Sequence, residues 1–508
     1  MITASDSDTP AGSRPEREPA RMSVRHAALW SVSGQYIGFV LQFASSVIIS
    51  RFFLKPAEIG LFSIALGAAM LIAILQDFGL TRYIANLDHP DETEIRRCSS
   101  VALIFALGVG FLLALGAWPI AEFYGHAGLA RILLIIAASY LFVPFAIVPT
   151  AMLSRAMAFR GLFFVNLAAT AVQTGVAIGL AWAGYSATAL AWAMVAAAFV
   201  KAVVAQALHP ALPFPLRFDG LRPVLHFGSQ SSTLFVIGAI GSRSADLVIG
   251  ALLSLTATGL FTRATGLASQ LRALISGAAS SVLYPALARL QRNGEALGDP
   301  YLRIVACFTG AGWPAMAGLA IAAAPTVNLL FGAQWAETAP ILVWIALGEI
   351  LFIALPLHVE LPILRGALRP LIARNIVDTV ASLLLLIIGA KVSVAAAALS
   401  RVGYGAVWLL LYTGFVCRMA GLRPSKLAPI YLSSALAAAA AVTPMAIAAL
   451  TLPTFASIGF LPLAALAGSG VVLWLIALRL LGHPLYEEFA QLLGGLGARL
   501  RPAWSEAA

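Results

Sequence analysis

Thr256 to Tyr284 is apolar enough to cross a bilayer, yet it holds two arginines, Arg263 and Arg272. A cation near the bilayer centre costs about 3 kcal/mol on insertion scales. Such a residue therefore faces a bundle interior or a wet cavity rather than lipid. Thr262, Thr265, Ser269, Arg272, Ser276 and Ser280 follow one another at steps of three and four and share one narrow helical face. Arg263 precedes Arg272 by nine residues, about 900° of rotation or half a turn out of phase. A straight helix cannot aim both at one point, so Arg272 belongs to the polar face while Arg263 is expected to snorkel or to pair locally. Two roles fit Arg272: lining a transport pathway, or tying neighbouring helices together through carbonyls or an acid.

The remainder of the chain is built to surround such a helix. Of 508 residues, 60% are hydrophobic and 11% charged, and mean hydropathy is +0.91. An all-α polytopic membrane protein follows. Apolar runs of about 20 residues, the length of a spanning helix, recur about fourteen times. They fall near 27–50, 60–81, 98–118, 129–150, 162–183, 186–208, 226–249, 257–288, 302–323, 337–362, 370–389, 393–416, 429–450 and 457–481. The polar first 26 residues precede a run too long for a signal-peptide core, which predicts a cytoplasmic tail and an uncleaved first helix. With that tail inside, 24 of the 32 Lys and Arg fall on the inner side or inner helix ends, Lys201 among them. Five fall outside, and Arg263, Arg272 and Arg401 lie within helices. This bias predicts that both termini are cytoplasmic, and it accounts for the net charge of +10 without nucleic acid. Residues 485–508 place Leu485, Phe489, Leu492, Leu493, Leu496 and Leu500 on one side of a helix, as an amphipathic tail on the inner membrane surface would.

The chain also repeats itself. Residues 48–54, ending at Gly60-Leu61-Phe62, align without a gap on 247–253, ending at Gly259-Leu260-Phe261, at an offset of 199. Phe123-Tyr124-Gly125 is echoed by Leu330-Phe331-Gly332. An even number of helices separates the copies, which predicts two parallel six-helix lobes, 27–208 and 226–416, with a site between them and two further helices over 429–481.

Other motifs carry less. Asp88, Asp91, Glu92 and Glu94 form the one dense acidic cluster; Asp88 is expected to cap a helix there, with Pro90 and Asp91 in its first turn. Asp77, Asp246, Glu349 and Glu360 could hold a coupling cation or neutralise arginines. Cys98, Cys307 and Cys417 have neither metal nor redox spacing and are expected to be packing residues. Neither a Walker-type loop nor His-Glu-x-x-His occurs, and no cofactor is expected. The inter-helix loops are too short for a separate catalytic domain, so function must live between helices.

The run Arg51-Phe52-Phe53-Leu54-Lys55-Pro56-Ala57-Glu58-Ile59-Gly60-Leu61-Phe62, followed by Asp77-Phe78-Gly79 and by Phe123-Tyr124-Gly125, resembles the bacterial polysaccharide transporter family of oligosaccharide-lipid flippases. The resemblance runs from about Trp30 to the last helices. It implies a central cavity and alternating access. The cargo would be an isoprenoid-diphosphate-linked sugar chain moved from the inner to the outer leaflet, with membrane lipids and, as further partners, a polymerase and glycosyltransferases. It also implies that arginines of the eighth helix face the cavity, which here points to Arg272 and Arg263. A diphosphate needs cationic, fork-shaped donors, and sugars need amide and hydroxyl partners such as Gln35, Gln42, Gln270 and Ser269. A multidrug cation exporter of the same fold and a membrane glycosyltransferase or polymerase are the alternatives. The first would lean on acids, which the first helix lacks; the second would need a large outer loop with catalytic acids. The expected topology is checked by fusing a reporter active only in the periplasm after Ala508, which should stay silent.

Overall fold

The computed structural model describes residues 24–77, 80, 83, 84, 87, 91–212, 214–217, 219, 241 and 244–490. Every regular element among them is helical. The helices are α1 (Val24–Phe52), α2 (Pro56–Asp77), α3 (Glu92–Phe123), α4 (Ala127–Ser139), α5 (Pro144–Arg155), α6 (Phe159–Trp182), α7 (Thr188–Leu208), α8 (Leu255–Arg292), α9 (Gly298–Ile321), α10 (Ala323–Leu330), α11 (Thr338–Ile353), α12 (Glu360–Leu364), α13 (Leu368–Ala390), α14 (Val394–Ala420), α15 (Leu427–Thr451) and α16 (Phe460–Leu480). Shorter helical segments cover 244–252 and 484–490.

Nine described helices have the length and apolarity of a membrane span, and α4 with α5, bent by 50°, makes a tenth. The break falls just before Pro144, whose ring nitrogen has no proton to continue the ladder. The more polar α1 and α8 and the shorter α11 pack among these ten. The expected seventh span, 226–249, lies largely outside the described residues. Side chains that a soluble protein would bury point outward, with Leu410, Leu450, Leu461 and Leu480 77–88% exposed. Trp118, Trp182 and Tyr185 are exposed toward helix ends, where amphipathic rings meet the headgroup layer. The chain is a multi-pass membrane protein.

The helices pack as two groups. In the first, α6 lies against α1 and α7, α3 against α4, and α2 against α3 and α4. In the second, α11 and α13 flank α14, and α9 packs on α15. The groups meet chiefly where α2 crosses α8, and the crossing depends on two glycines. A Cβ on Gly60 would lie closer than 3.0 Å to the carbonyl of Leu255, and a Cβ on Gly259 equally close to the carbonyl of Pro56. The contact is reciprocal, as a local two-fold between the helices requires, and it joins the residues that the 199-residue offset pairs. Ile59, Leu260 and Phe261 seal it within a core shared with Ile49, Phe331 and Trp335. Gly125 and Gly332, from the second echo, both have positive φ, +68° and +87°, at the ends of α3 and α10.

One end of the bundle is tied across the groups by backbone carbonyls. The Trp335 indole N–H donates to the Ser50 carbonyl at 2.8 Å, as does the Gln334 amide, and Arg51 donates to the Leu329 carbonyl. Asn328 donates to the carbonyl of Ala456, between α15 and α16. At the opposite end Arg97 pairs with Asp219 at 2.8 Å, which holds the Asp219 carboxyl below the usual range. The cap of α3 differs from expectation. Asp91 is the N-cap, its carboxylate accepting from the Glu94 N–H at 2.6 Å, so the helix begins at Glu92; Asp88 and Pro90 lie outside the described residues.

Cys98 and Cys417 are buried and Cys307 half-buried, all as free thiols. The described start of the C-terminal segment docks on the bundle. Leu485 and Phe489 pack with Ala311 and Trp474. His483 accepts from the Leu485 N–H through Nδ1, which leaves the proton on Nε2, 3.0 Å from the Ser434 hydroxyl. Ser434 in turn meets Thr309 at 2.8 Å. Burial holds the His483 pKa below its ordinary value. Residues beyond 490, with most of the expected amphipathic face, lie outside the described residues.

Gly60→Leu and Gly259→Leu should each force α2 and α8 apart and destabilise the protein by about 2 kcal/mol or more. Gly266→Ala, where a Cβ meets nothing within 4 Å, should melt no lower than wild type. Thermal melting of the purified proteins in detergent checks both.

Candidate substrate-binding cavities

Helix α8 presents its two arginines to different cavities, as a half-turn offset requires. Nine residues of helical rise also separate them by about 13 Å along the axis. Arg263 lies roughly 12 Å from the Leu255 end and Arg272 roughly 25 Å. The first is therefore nearer the end tied by Ser50 and Trp335, the second nearer the Arg97 end.

Arg263 is half-buried against both groups of helices. Its Nη1 donates to the Ser46 hydroxyl on α1, and its guanidinium sits 6.0 Å from the centroid of the Phe331 ring and 5.9 Å from that of Trp335. Its Nε is buried without a hydrogen bond. Among the described residues no carboxylate lies within ion-pair distance of it. The cavity it enters, about 270 Å³, is lined also by Gln42, Ser45, Ser46, Gln173 and Thr262. Arg263 therefore neither snorkels nor pairs locally. Ser46 and two aromatic faces hold the guanidinium inside, because a planar, weakly hydrated cation can rest on rings where an ammonium could not.

Arg272 enters a cavity of about 320 Å³ in the second group, between α11, α13 and α14. Glu349 is 3% exposed and stands between two cations, with Arg272 Nε 3.0 Å from Oε2 and Arg401 Nη2 3.8 Å from Oε1. The Arg272 N–H does not point at the oxygen, so Oε2 is buried without a hydrogen bond, as is Asp378 Oδ1. The Arg401 guanidinium packs 5.2 Å from the Phe352 centroid and 5.5 Å from that of Tyr404. The Arg272 side chain is nonetheless 46% exposed. Of its two possible roles, the structure displays the tie to an acid while leaving much of the cation open to the cavity.

The shared polar face of α8 is largely occupied by its own backbone. Thr262 donates to Asp246 or the Thr258 carbonyl, Thr265 to Phe261 and Ser269 to Gly266. The side chains of Ser276 and Ser280 are outside the described set. Of the expected site residues, the structure brings Gln42 to Arg263. Gln35 is exposed two turns away on α1, and Gln270 and Ser269 line neither arginine cavity. Among the acids singled out, Asp77 lies outside the described side chains, Asp246 accepts from Thr262, and Glu349 serves Arg272 and Arg401.

Sequence reasoning missed Asp378, Gln173 and the placement of Lys201. Lys201 is not at a helix end: it lies seven residues inside α7 and lines a third cavity of about 560 Å³ with Thr150, Asn166, Thr170 and Gln173. A signal was present, since Asn166, Thr170 and Gln173 follow at steps of four and three on one face of α6.

Comparison with known proteins decides the family. The model for "Polysaccharide biosynthesis protein" matches residues 48–340, more than half of the chain. The chain belongs to this family. It is similar to the succinoglycan biosynthesis transport protein ExoT of Rhizobium meliloti (strain 1021), 27% identical over 350 residues, 66% of this chain and 68% of that one. It is also similar to the lipopolysaccharide biosynthesis protein WzxC of Escherichia coli (strain K12), 21% identical over 336 residues, 62% of this chain and 64% of that one. Among solved structures, the lipid II flippase MurJ in an inward closed conformation matches with a TM-score of 0.72 at 14% identity, over 89% of this chain and 98% of MurJ. That last likeness establishes the fold.

Within this fold, Glu349 offsets two cations at once. Glu349→Gln should destabilise the protein by roughly 3 kcal/mol, since it leaves Arg272 and Arg401 facing each other. Adding Arg401→Gln should recover part of the loss, and melting of the two variants beside wild type measures the coupling.

Proposed function

We infer that this member of the family moves an isoprenoid-diphosphate-linked oligosaccharide across the bacterial inner membrane, from the cytoplasmic to the outer leaflet, for cell-surface polysaccharide synthesis. The observation that carries the reading is Arg263, a guanidinium inside the bundle with no carboxylate among the described residues to offset it, in a cavity shared with Gln42, Ser45 and Ser46. A cation so placed lowers its cost when an anion enters, and its neighbours offer the amide and hydroxyl groups that sugars need. The relatives' names, which refer to succinoglycan transport and to lipopolysaccharide biosynthesis, are in keeping with it.

The proposed moving units are the lobes 27–208 and 226–416, hinged at the α2–α8 crossing, with both termini cytoplasmic. Arg272, on the Arg97 side, would meet the diphosphate first and exchange its bond to Glu349 for one to phosphate. Arg263, about 13 Å further along α8, would hold it next. Transport without covalent chemistry is the proposed activity; glycosyltransferases and a polymerase would act before and after it. The cation-exporter alternative would place its cargo at Glu349 and Asp378. That cavity also holds Arg272 and Arg401, so its formal charges cancel and a cationic drug gains no net attraction.

In a flippase-deficient strain, the wild-type gene should restore surface polysaccharide. Arg263→Gln should lower it at least tenfold per unit of membrane protein, Arg272→Lys partly, and Arg272→Ala strongly. Full export by Arg263→Gln and Arg272→Ala at normal abundance would overturn the reading.

A further inference from the structure

The cavity around Lys201 lies within the first helix group, away from Arg272 and Glu349, and neither the family nor the relatives' names assign it a role. Its walls come from α5, α6 and α7, and its volume, about 560 Å³, exceeds that of either arginine cavity. Four uncharged polar side chains, Thr150, Asn166, Thr170 and Gln173, join the one ammonium. Thr150 donates its proton to the Ala146 or Ile147 carbonyl, so its oxygen remains free only to accept, as from a sugar hydroxyl. Among the described residues, no carboxylate is within ion-pair distance of Lys201.

Position makes this more than a polar gap. Lys201 is seven residues from the end of α7 that lies on the Arg97 side, about 10 Å along the helix. Gln173 lines both this cavity and the Arg263 cavity. Gln173 is thus common to the linings of the Lys201 and Arg263 cavities, and Asn166 and Thr170 precede it at helical spacing on α6. A lysine inside a membrane bundle with no acid beside it is expensive unless the space is wet and receives an anion. A compact, strongly hydrated point charge among amides and hydroxyls suits a single oxyanion on a hydroxyl-rich molecule.

We propose that Lys201, with Asn166, Thr170 and Gln173, forms a glycan subsite that binds an oxyanion of the cargo. The source of that oxyanion is either an acidic substituent on a sugar or the diphosphate linker. The proposal rests on the export reading above and adds a selectivity to it: cargo bearing an accessible negative group is held at Lys201 while Arg272 and Arg263 handle the other end of the polar head.

The test uses the full-length purified protein in nanodiscs of neutral lipid with three soluble probes: an oligoglucuronate, inorganic pyrophosphate and a neutral malto-oligosaccharide. Oligoglucuronate should protect Lys201 from reductive methylation, read by mass spectrometry on the wild-type protein. Lys201→Gln should weaken its binding about tenfold, the scale of one charge-assisted hydrogen bond, and leave malto-oligosaccharide binding unchanged. Lys201→Arg should keep most of the affinity. Protection by pyrophosphate, with none by oligoglucuronate, would support the subsite and assign it to the linker. No protection by either anion would overturn the proposal, even if Lys201→Gln fails to fold. Protection of Lys201 in a protein that restores no surface polysaccharide would overturn the export reading and leave the subsite standing. Export and anion binding by Lys201→Gln at wild-type levels would do the reverse.

Discussion

Charge inside a bilayer is the constraint on which the rest of this structure depends. Each guanidinium of α8 would cost about 3 kcal/mol if it faced lipid, and the helices around α8 are arranged so that neither does. The two arginines are stabilised in different ways. Arg272 is stabilised by a carboxylate buried to 3%, which Arg401 shares from the other side. Arg263 is stabilised by one hydroxyl and two aromatic faces. The first arrangement is electrically closed, while the second leaves a positive charge open to whatever enters its cavity. That asymmetry shifts emphasis from Arg272, which the polar stripe of α8 singles out, to Arg263, which the stripe leaves aside.

The α2–α8 crossing explains how one helix serves both groups. Two glycines allow the backbones to approach until each Cα faces the other helix's carbonyl, at the place where the internal repeat superimposes the chain on itself. Close approach of this kind needs no polar anchor, and small residues are the usual means of obtaining it between membrane helices. It brings Arg263 into the first group beside Ser46, while the packing of α8 on α11 sets Arg272 against Glu349. The carbonyl bonds from Trp335, Gln334 and Arg51 add a second tie at one end. Any movement of one group against the other must leave or turn about these contacts.

Three cavities follow, and they form a series rather than a single chamber. Lys201 and Arg263 are joined through Gln173, and Arg272 lies beyond the crossing. Arg272 and Lys201 stand toward the Arg97 end and Arg263 toward the other, each cavity with amides or hydroxyls in its lining, and such spaced cations suit an elongated polar head that carries negative charge at a few points. A compact cation would instead find its acids already matched by arginines.

Much of this was legible in the residues. Apolar runs of spanning length, interrupted by Arg, Pro and Gly, determined the class and each of the ten spans now described, while the expected run 226–249 lies largely outside the described residues. The 199-residue offset paired Gly60 with Gly259 as equivalent positions of a repeat, and the nine-residue spacing of Arg263 and Arg272 determined that they would face different ways. Helical periodicity, however, reports only the direction of a side chain about its own axis. Which helix stands opposite is decided by tertiary packing, and that is why Arg263 meets Ser46 and Phe331 rather than the membrane surface. It is also why Glu349 serves Arg401 as well as Arg272, and why Lys201, which counted as a helix end by charge bias, faces a cavity. Gln35 and Gln270 have the chemistry of sugar ligands but lie elsewhere, because the spacing of polar residues along one helix holds no information about the depth at which a neighbouring helix crosses it.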